Sequence, residues 1–252
     1  MQRVRADLGP ELVGFDQAAV VFGNGIPALE QVDLAVRAGE FVSIVGPSGC
    51  GKSTLLRVAA GLQSLTAGHA RIQARRIGFV FQDATLLPWR TVRQNVALPG
   101  ELDKLDRAER ISRADRAIDS VGLTGFADHL PHMLSGGMRM RVSVARALTS
   151  DPELFLFDEP FGALDEITRE HLNDETAKLF ADRRFAGLFV THSVAEAVYL
   201  STRVVVMSGR PGRVLADIPI PFDHPRERAL RFTPEFNDIA AHISDLLRGG
   251  HK

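Results

Sequence analysis

The chain has 252 residues, enough for one large α/β domain or for a domain that carries an inserted subdomain. It is 45% hydrophobic and 24% charged with a formal net charge of -1, which is ordinary for a packed globular protein and gives no electrostatic footprint for nucleic acid. Its single cysteine, Cys50, excludes an intramolecular disulfide; Met1 to Pro10 lacks the apolar core of a secretory leader, and no apolar run approaches the ~20 residues that span a bilayer.

In chain order, Leu12 to Phe22 and Val32 to Val36 read as β, with alternating and β-branched residues. Phe41 to Val45 is a short apolar run that ends in glycine, and Lys52 to Leu62 then carries apolar residues at helical spacing (Leu55, Leu56, Val58, Ala59, Leu62). Ile77 to Phe81 is a further strand. From Asp83 to about Ser150 the character is helical, and Leu102, Leu105, Ala108, Ile111, Ala114, Ile118 and Val121 predict one amphipathic helix facing a core. Leu154 to Phe157 reads as a strand buried on both faces, and Leu188 to Thr191 and Val204 to Met207 are two more. Turns at Pro211-Gly212 and Pro219 to Pro225 precede a last helix over Glu235 to Leu247. Strands alternating with helices predict a three-layer α/β fold.

Between the strand at Phe41 and the helix at Lys52, the stretch Gly46-Pro47-Ser48-Gly49-Cys50-Gly51-Lys52-Ser53-Thr54 matches G-x-x-x-x-G-K-[ST] in full. Strand, glycine loop and helix are the context a phosphate loop needs. Glycines let successive backbone N–H groups turn inward around phosphates, and the helix aims its positive end at them. Lys52 is then placed for the β- and γ-phosphates of ATP and the Ser53 hydroxyl for Mg²⁺. Cys50 is expected to be a small filler, with a reactive thiol beside a helix N-terminus as the alternative. Downstream, the strand Leu154 to Phe157 ends in Asp158-Glu159. At the carboxyl end of a parallel strand, Asp158 is expected to hold Mg²⁺ through water and Glu159 to polarise an attacking water. A second glycine-rich stretch, Leu134-Ser135-Gly136-Gly137, heads a helix running through Arg141 to Leu148 and offers a further anion site without lysine chemistry.

Taken together, these motifs resemble the ATP-binding-cassette family of ATPases over essentially the whole chain. Leu134-Ser135-Gly136-Gly137-Met138 is similar to that family's signature motif, Gln82 to its Q-loop glutamine, Gly162-Ala163-Leu164-Asp165 to its D-loop, and His192 after Phe189-Val190-Thr191 to its switch histidine. Phe22 matches the aromatic that stacks on adenine. The resemblance implies a P-loop NTPase (RecA-like) three-layer core with an antiparallel β subdomain and an inserted helical subdomain. Residues 1–82 and 155–252 would form the core and residues 83–154 the insertion. It also implies a head-to-tail dimer in which Ser135, Gly136 and Gly137 of one copy meet the γ-phosphate bound by the other. Asp165 would couple the two sites, His192 would position the water, and Gln82 would join Ser53 and Asp158 at Mg²⁺. Catalysis would then rest on Glu159, His192, Lys52 and Gln82.

Leu86-Leu87-Pro88-Trp89 and the segment Ser208 to Pro219 resemble the nitrate, sulfonate and taurine importer subfamily. The implied partners are integral membrane permease subunits and, through them, an extracytoplasmic solute-binding protein, with the chain peripheral on the cytoplasmic face of the inner membrane. For Trp89 there are two readings, core packing or a groove that receives a short permease helix. A soluble regulatory cassette or a P-loop kinase are the competing functions; the first would show a second cassette or a basic face, and the second has no use for Ser135-Gly136-Gly137. Met138 and Met140 stand where the family commonly has glutamine. The resemblance implies that a glutamine at position 140 helps bind nucleotide across the dimer, so Met140 is expected to weaken that clasp.

Overall fold

The computed structural model describes residues 9–249; most of the Met1 to Pro10 segment read above for a leader lies outside the described residues. Strands β1 (Glu11–Val21) and β2 (Pro27–Arg37) form an antiparallel hairpin, and β3 (Phe41–Val45) leads through the phosphate loop into α1 (Lys52–Ala59). Strand β4 (Ala67–Ile72) returns to pair with β1, giving a three-stranded sheet in the order β2-β1-β4. After β5 (Ile77–Val80), four helices follow in succession: α2 (Val92–Val96), α3 (Leu98–Leu102), α4 (Arg107–Ser120) and α5 (Gly136–Leu148). The chain re-enters the main sheet as β6 (Leu154–Asp158), then runs α6 (Glu166–Arg183), β7 (Ala186–Thr191), α7 (Val194–Leu200), β8 (Arg203–Met207), β9 (Val214–Pro219) and α8 (Pro234–Gly249).

The main sheet has the order β5-β6-β7-β3-β8-β9, parallel except for the β8/β9 pair. Its strands are apolar on both faces because each face is covered. Phe41, Val45, Phe155, Phe157 and Phe189 point to the helical side with α5, α6 and α7. Val42, Ile44, Leu154, Leu156, Leu188 and Val190 point to the other side, against α1 and the β1/β2 hairpin. This is the three-layer α/β class expected from the sequence. Order matters for function: β6, β7 and β3 are neighbours, so their carboxyl ends bring Asp158-Glu159, His192 and the phosphate loop side by side.

Several expectations need correction. The single helix expected from Leu102 to Val121 is two. Lys104 takes a left-handed φ of 58°, and Asp106 starts α4 by accepting hydrogen bonds from the Ala108 and Glu109 N–H groups. Leu102 therefore does not face a core; it is 72% exposed. Strands β4 and β9 were not among the expected strands, nor were α6 and α7 among the expected helices; the segment after Pro211-Gly212 continues the sheet before the turns at Pro219. Among the described residues no helix is long and apolar enough to cross a membrane.

Candidate functional site

Helix α1 begins without a side-chain cap. Its N-cap residue, Gly51, has φ 104°, and no side chain takes the first-turn N–H groups. A Cβ on Gly51 would also lie 2.6 Å from the Ala28 carbonyl oxygen, so both the dihedral and the close approach of β2 require glycine. The buried Lys52 ammonium donates to the carbonyls of Gly46 (2.9 Å) and Pro47 (3.0 Å) and stands 3.7 Å from Glu159 Oε1. The Ser53 hydroxyl donates to Asp158 Oδ1 at 2.7 Å. Burial pushes the Asp158 carboxyl up, and the Ser53 hydrogen bond opposes that shift. Glu159 is in the left-handed region at φ 45°, held there by its N–H bond to the Val190 carbonyl. Such strain costs of order 1–3 kcal/mol and is kept only where surrounding structure fixes it. Here it turns the carboxylate between Lys52 and His192, whose Nδ1 lies 3.3 Å from Glu159 Oε2.

Lysine, hydroxyl, two carboxylates and imidazole thus converge where an uncapped helix presents backbone donors, an arrangement suited to a polyphosphate. An oxygen pair such as Ser53 with Asp158 also fits Mg²⁺, which takes few protein ligands and keeps water and phosphate oxygens for the rest. Gln82 lies at the carboxyl end of β5, exposed, with no hydrogen bond to Ser53, Asp158 or Glu159 among the described residues. Phe22 is half-buried in the β1/β2 connection, next to the hairpin that touches Gly51.

Ser135, Gly136 and Gly137 lie elsewhere, at the start of α5. The Ser135 hydroxyl accepts from the Met138 N–H at 3.2 Å, so it caps the helix and leaves the first-turn N–H groups of the two glycines. The helix start rests on the Gly162 to Asp165 loop: a Cβ on Gly136 would lie 3.2 Å from Leu164, and one on Gly137 2.6 Å from the Thr168 methyl. Glycine is thus needed at Gly137 for packing as well as for any anion. Asp165 caps α6 by accepting from the Thr168 N–H, which holds its carboxyl below the usual range.

Three expectations change at this point. Met140 is 4% exposed and belongs to the helical-side core, so its side chain does not face a partner, and the expected weakening of the dimer clasp has no basis. Trp89 is 72% exposed, which removes the core-packing reading. Cys50 is buried and burial pushes its thiol up, against the nearby Lys52 charge, so it is a filler and not a reactive thiol.

Sequence reasoning missed the supports. Gly212 donates its N–H to the Ala28 carbonyl, and a Cβ there would collide with the Cys50 carbonyl, so the β8/β9 turn backs the phosphate loop. Arg146 of α5 donates to the carbonyls of Ala84 (3.1 Å) and Thr85 (2.9 Å), tying the segment after Gln82 to the Ser135 helix. The fully buried Asn95 side chain bonds Leu87, Arg90 and Thr91 backbone and so builds the loop that presents Trp89. The Gly212 and Arg146 contacts join segments far apart in sequence, and those of Asn95, though only four to eight residues apart, follow no helical or strand period. A cavity of about 510 Å³ lined by Glu11, Arg75, Glu153 and Arg183 opens at the amino-terminal ends of β6 and β7 and includes none of the site residues.

The ABC transporter family profile matches residues 29–162. A Pseudomonas syringae pv. syringae protein named aliphatic sulfonates import ATP-binding protein SsuB 1 is 46% identical over 204 residues, covering 81% of this chain and 84% of that one. An uncharacterized ABC transporter ATP-binding protein of Methanocaldococcus jannaschii is 45% identical over 233 residues, covering 90% and 86%. Among solved structures, a bacterial ABC transporter cassette solved as a dimer is 32% identical with a TM-score of 0.74, covering 84% of this chain and all of that one. The same cassette is known as a dimer in a post-hydrolysis state bound to ADP and Pi.

Proposed function

The chain belongs to the ABC transporter family of ATP-binding cassettes, and from that premise we propose that it is the ATP-hydrolysing subunit of an importer for a small anion, with aliphatic sulfonates, the chemical class that includes taurine, favoured over nitrate. The convergence of Lys52, Ser53, Asp158, Glu159 and His192 on the uncapped start of α1 carries this reading. The sulfonate preference rests on the sulfonate-import relative at 46% identity and on the Leu86-Leu87-Pro88-Trp89 loop, which holds Trp89 exposed.

In this reading the loop from Gly46 through Pro47, Ser48, Gly49, Cys50, Gly51, Lys52 and Ser53 to Thr54 wraps the ATP phosphates with backbone N–H groups. Phe22 stacks on the adenine, and the Lys52 ammonium exchanges its loop carbonyls for phosphate oxygens. Mg²⁺, held by Ser53, Asp158 and Gln82, would neutralise charge on the β- and γ-phosphates when bound. Glu159 polarises the attacking water, and His192 positions it against the γ-phosphate. The inserted helical subdomain runs from residue 83 to the start of β6 at Leu154, and residues 9–82 and 154–249 form the core. Ser135, Gly136, Gly137 and Asp165 act on the ATP of a second copy, so the working unit is a dimer docked on permease subunits at the cytoplasmic face of the membrane. An extracytoplasmic binding protein would deliver the solute to those subunits.

Glu159→Gln tests this. Loss of the base is expected to slow turnover by about 10²–10⁴-fold, while ATP binding persists and the protein runs as a nucleotide-bound dimer by light scattering. Undiminished hydrolysis would remove Glu159 from its role, and an ATP-bound monomer would remove the sandwich.

A further inference from the structure

Behind His192 lies a buried polar cluster that the reaction as described does not use. Glu196 of α7 is buried, and one of its carboxylate oxygens accepts from the Thr191 hydroxyl, the side chain immediately before His192. The Thr191 oxygen also accepts from the Ser193 N–H at 3.0 Å, so it grips the backbone on both sides of the histidine. The other Glu196 oxygen, Oε1, has no hydrogen-bond partner. Facing it at 4.0 Å is Arg169 Nε, which is also buried and also without one. The two are about 1 Å beyond hydrogen-bond distance. The far side of the same guanidinium donates to the Leu164 carbonyl at 3.0 Å and stands 3.4 Å from Glu166. Burial pushes the Glu196 carboxyl up, while the Thr191 hydrogen bond, the Arg169 charge and the neighbouring Asn173 side chain pull it back. A carboxylate with one open oxygen against a cation with one open N–H is costly in a buried place unless the two close on each other.

We propose that Glu196 and Arg169 are positioning residues that join the Gly162 to Asp165 loop to His192 within one chain. Leu164 is the residue whose side chain a Cβ on Gly136 would touch, so the loop and the start of α5 move as neighbours. A small inward shift of Leu164 carries Arg169 onto Glu196 Oε1. It thereby fixes Thr191 and the backbone of His192 when a second copy presses on the loop. The inference rests on the proposed role of His192, and its test separates the two.

Glu196→Gln keeps the size of the side chain and an oxygen for Thr191, and removes the charge that attracts Arg169. It is expected to lower kcat about tenfold with ATP affinity and Tm unchanged. In a His192→Ala background it should cost nothing further, because the positioned group is gone. Arg169→Met cuts the loop side of the link without touching Thr191; it should give the same kcat loss and be non-additive with Glu196→Gln. A full rate in either variant overturns the proposal, and so does an equal loss from Glu196→Gln with and without His192. A lowered Tm with unchanged kcat would mean that the cluster only holds the fold, which also overturns it. If His192→Ala alone hydrolyses ATP at the full rate, the assignment of His192 fails, and this proposal with it.

Discussion

Replacing Met140 by glutamine separates two accounts of helix α5. If position 140 faced a partner's nucleotide, the amide would add a hydrogen bond and tighten ATP binding. The structure places Met140 on the stripe Gly137, Met140, Val144, Ala147 and Leu148 that α5 turns to the core, with 4% of its surface exposed. Glutamine fits the volume but has no partner there, and an unpaired buried amide costs roughly 1–3 kcal/mol. For a domain of this size about 2 kcal/mol corresponds to a Tm lowered by about 4–8 °C. Thermal unfolding followed by circular dichroism reads this directly, with Met140→Leu as a volume-conserving control expected to lose less than about 1.5 kcal/mol. ATP affinity measured on the folded variant should not rise. An unchanged Tm together with tighter ATP binding would refute the reasoning.

Trp89→Ala removes an exposed ring, so stability should move by no more than about 0.5 kcal/mol and ATP hydrolysis by the isolated chain should persist, while uptake by a reconstituted transporter falls; unchanged uptake counts against the docking reading. Asn95→Ala should lose uptake in the same way but also about 1–3 kcal/mol of stability, because it leaves buried backbone groups of the Leu87 to Thr91 loop unpaired; chemical denaturation checks this. Gly212→Ala drives a methyl into the Cys50 carbonyl and should weaken ATP binding while costing about 1–3 kcal/mol; normal affinity by titration would show that the turn does not support the phosphate loop. His224 packs against Phe180, and neither ring nitrogen has a hydrogen-bond partner. Burial, with the nearby Arg226 charge, lowers its pKa from 6.5 to about 4. The folded state therefore takes up this proton later than the unfolded chain. The contribution is intact above about pH 6.5 and is lost as pH falls toward 4, in total about 3 kcal/mol at 1.36 kcal/mol per pKa unit. Stability against pH should be flatter over that range in His224→Phe; equal slopes in both proteins would contradict the assignment.

Legibility in the sequence followed locality. The phosphate loop was readable because its ligands are consecutive backbone groups, and Asp158-Glu159 because a strand's end is marked by the end of its apolar run. The same logic failed where burial and polarity part company. Helix α6 buries Asn173, Asp174 and Thr176 among Leu172, Ala177 and Phe180, so polar residues interrupt the apolar spacing of its inward face. Strand β4 buries almost nothing, with five of its six residues exposed, and so lacks the alternation that marks a strand. The break between α3 and α4 did leave a trace, since Asp106 with Glu109 three residues on is a helix start, but the apolar spacing from Leu102 ran across it.

Met140 shows the limit of arguing from a motif. A motif transfers residue identity at a spacing, whereas function needs the direction of the side chain. On a helix, positions 138 and 140 are two residues apart and point about 200° apart at 100° per residue. Met138, half-buried at the edge of the helical-side core, and Met140, buried within it, therefore differ in exposure although both stand where glutamine was expected. The same geometry keeps Gly137 beneath Thr168 and turns Arg139 outward to bond the Leu134 carbonyl. The first turn of α5 is thus fixed by packing on α6 on one side and by its own cap on the other. Its unpaired first-turn N–H groups are held in place by that packing, which in the proposed dimer would reduce the ordering cost of closing a second copy onto them.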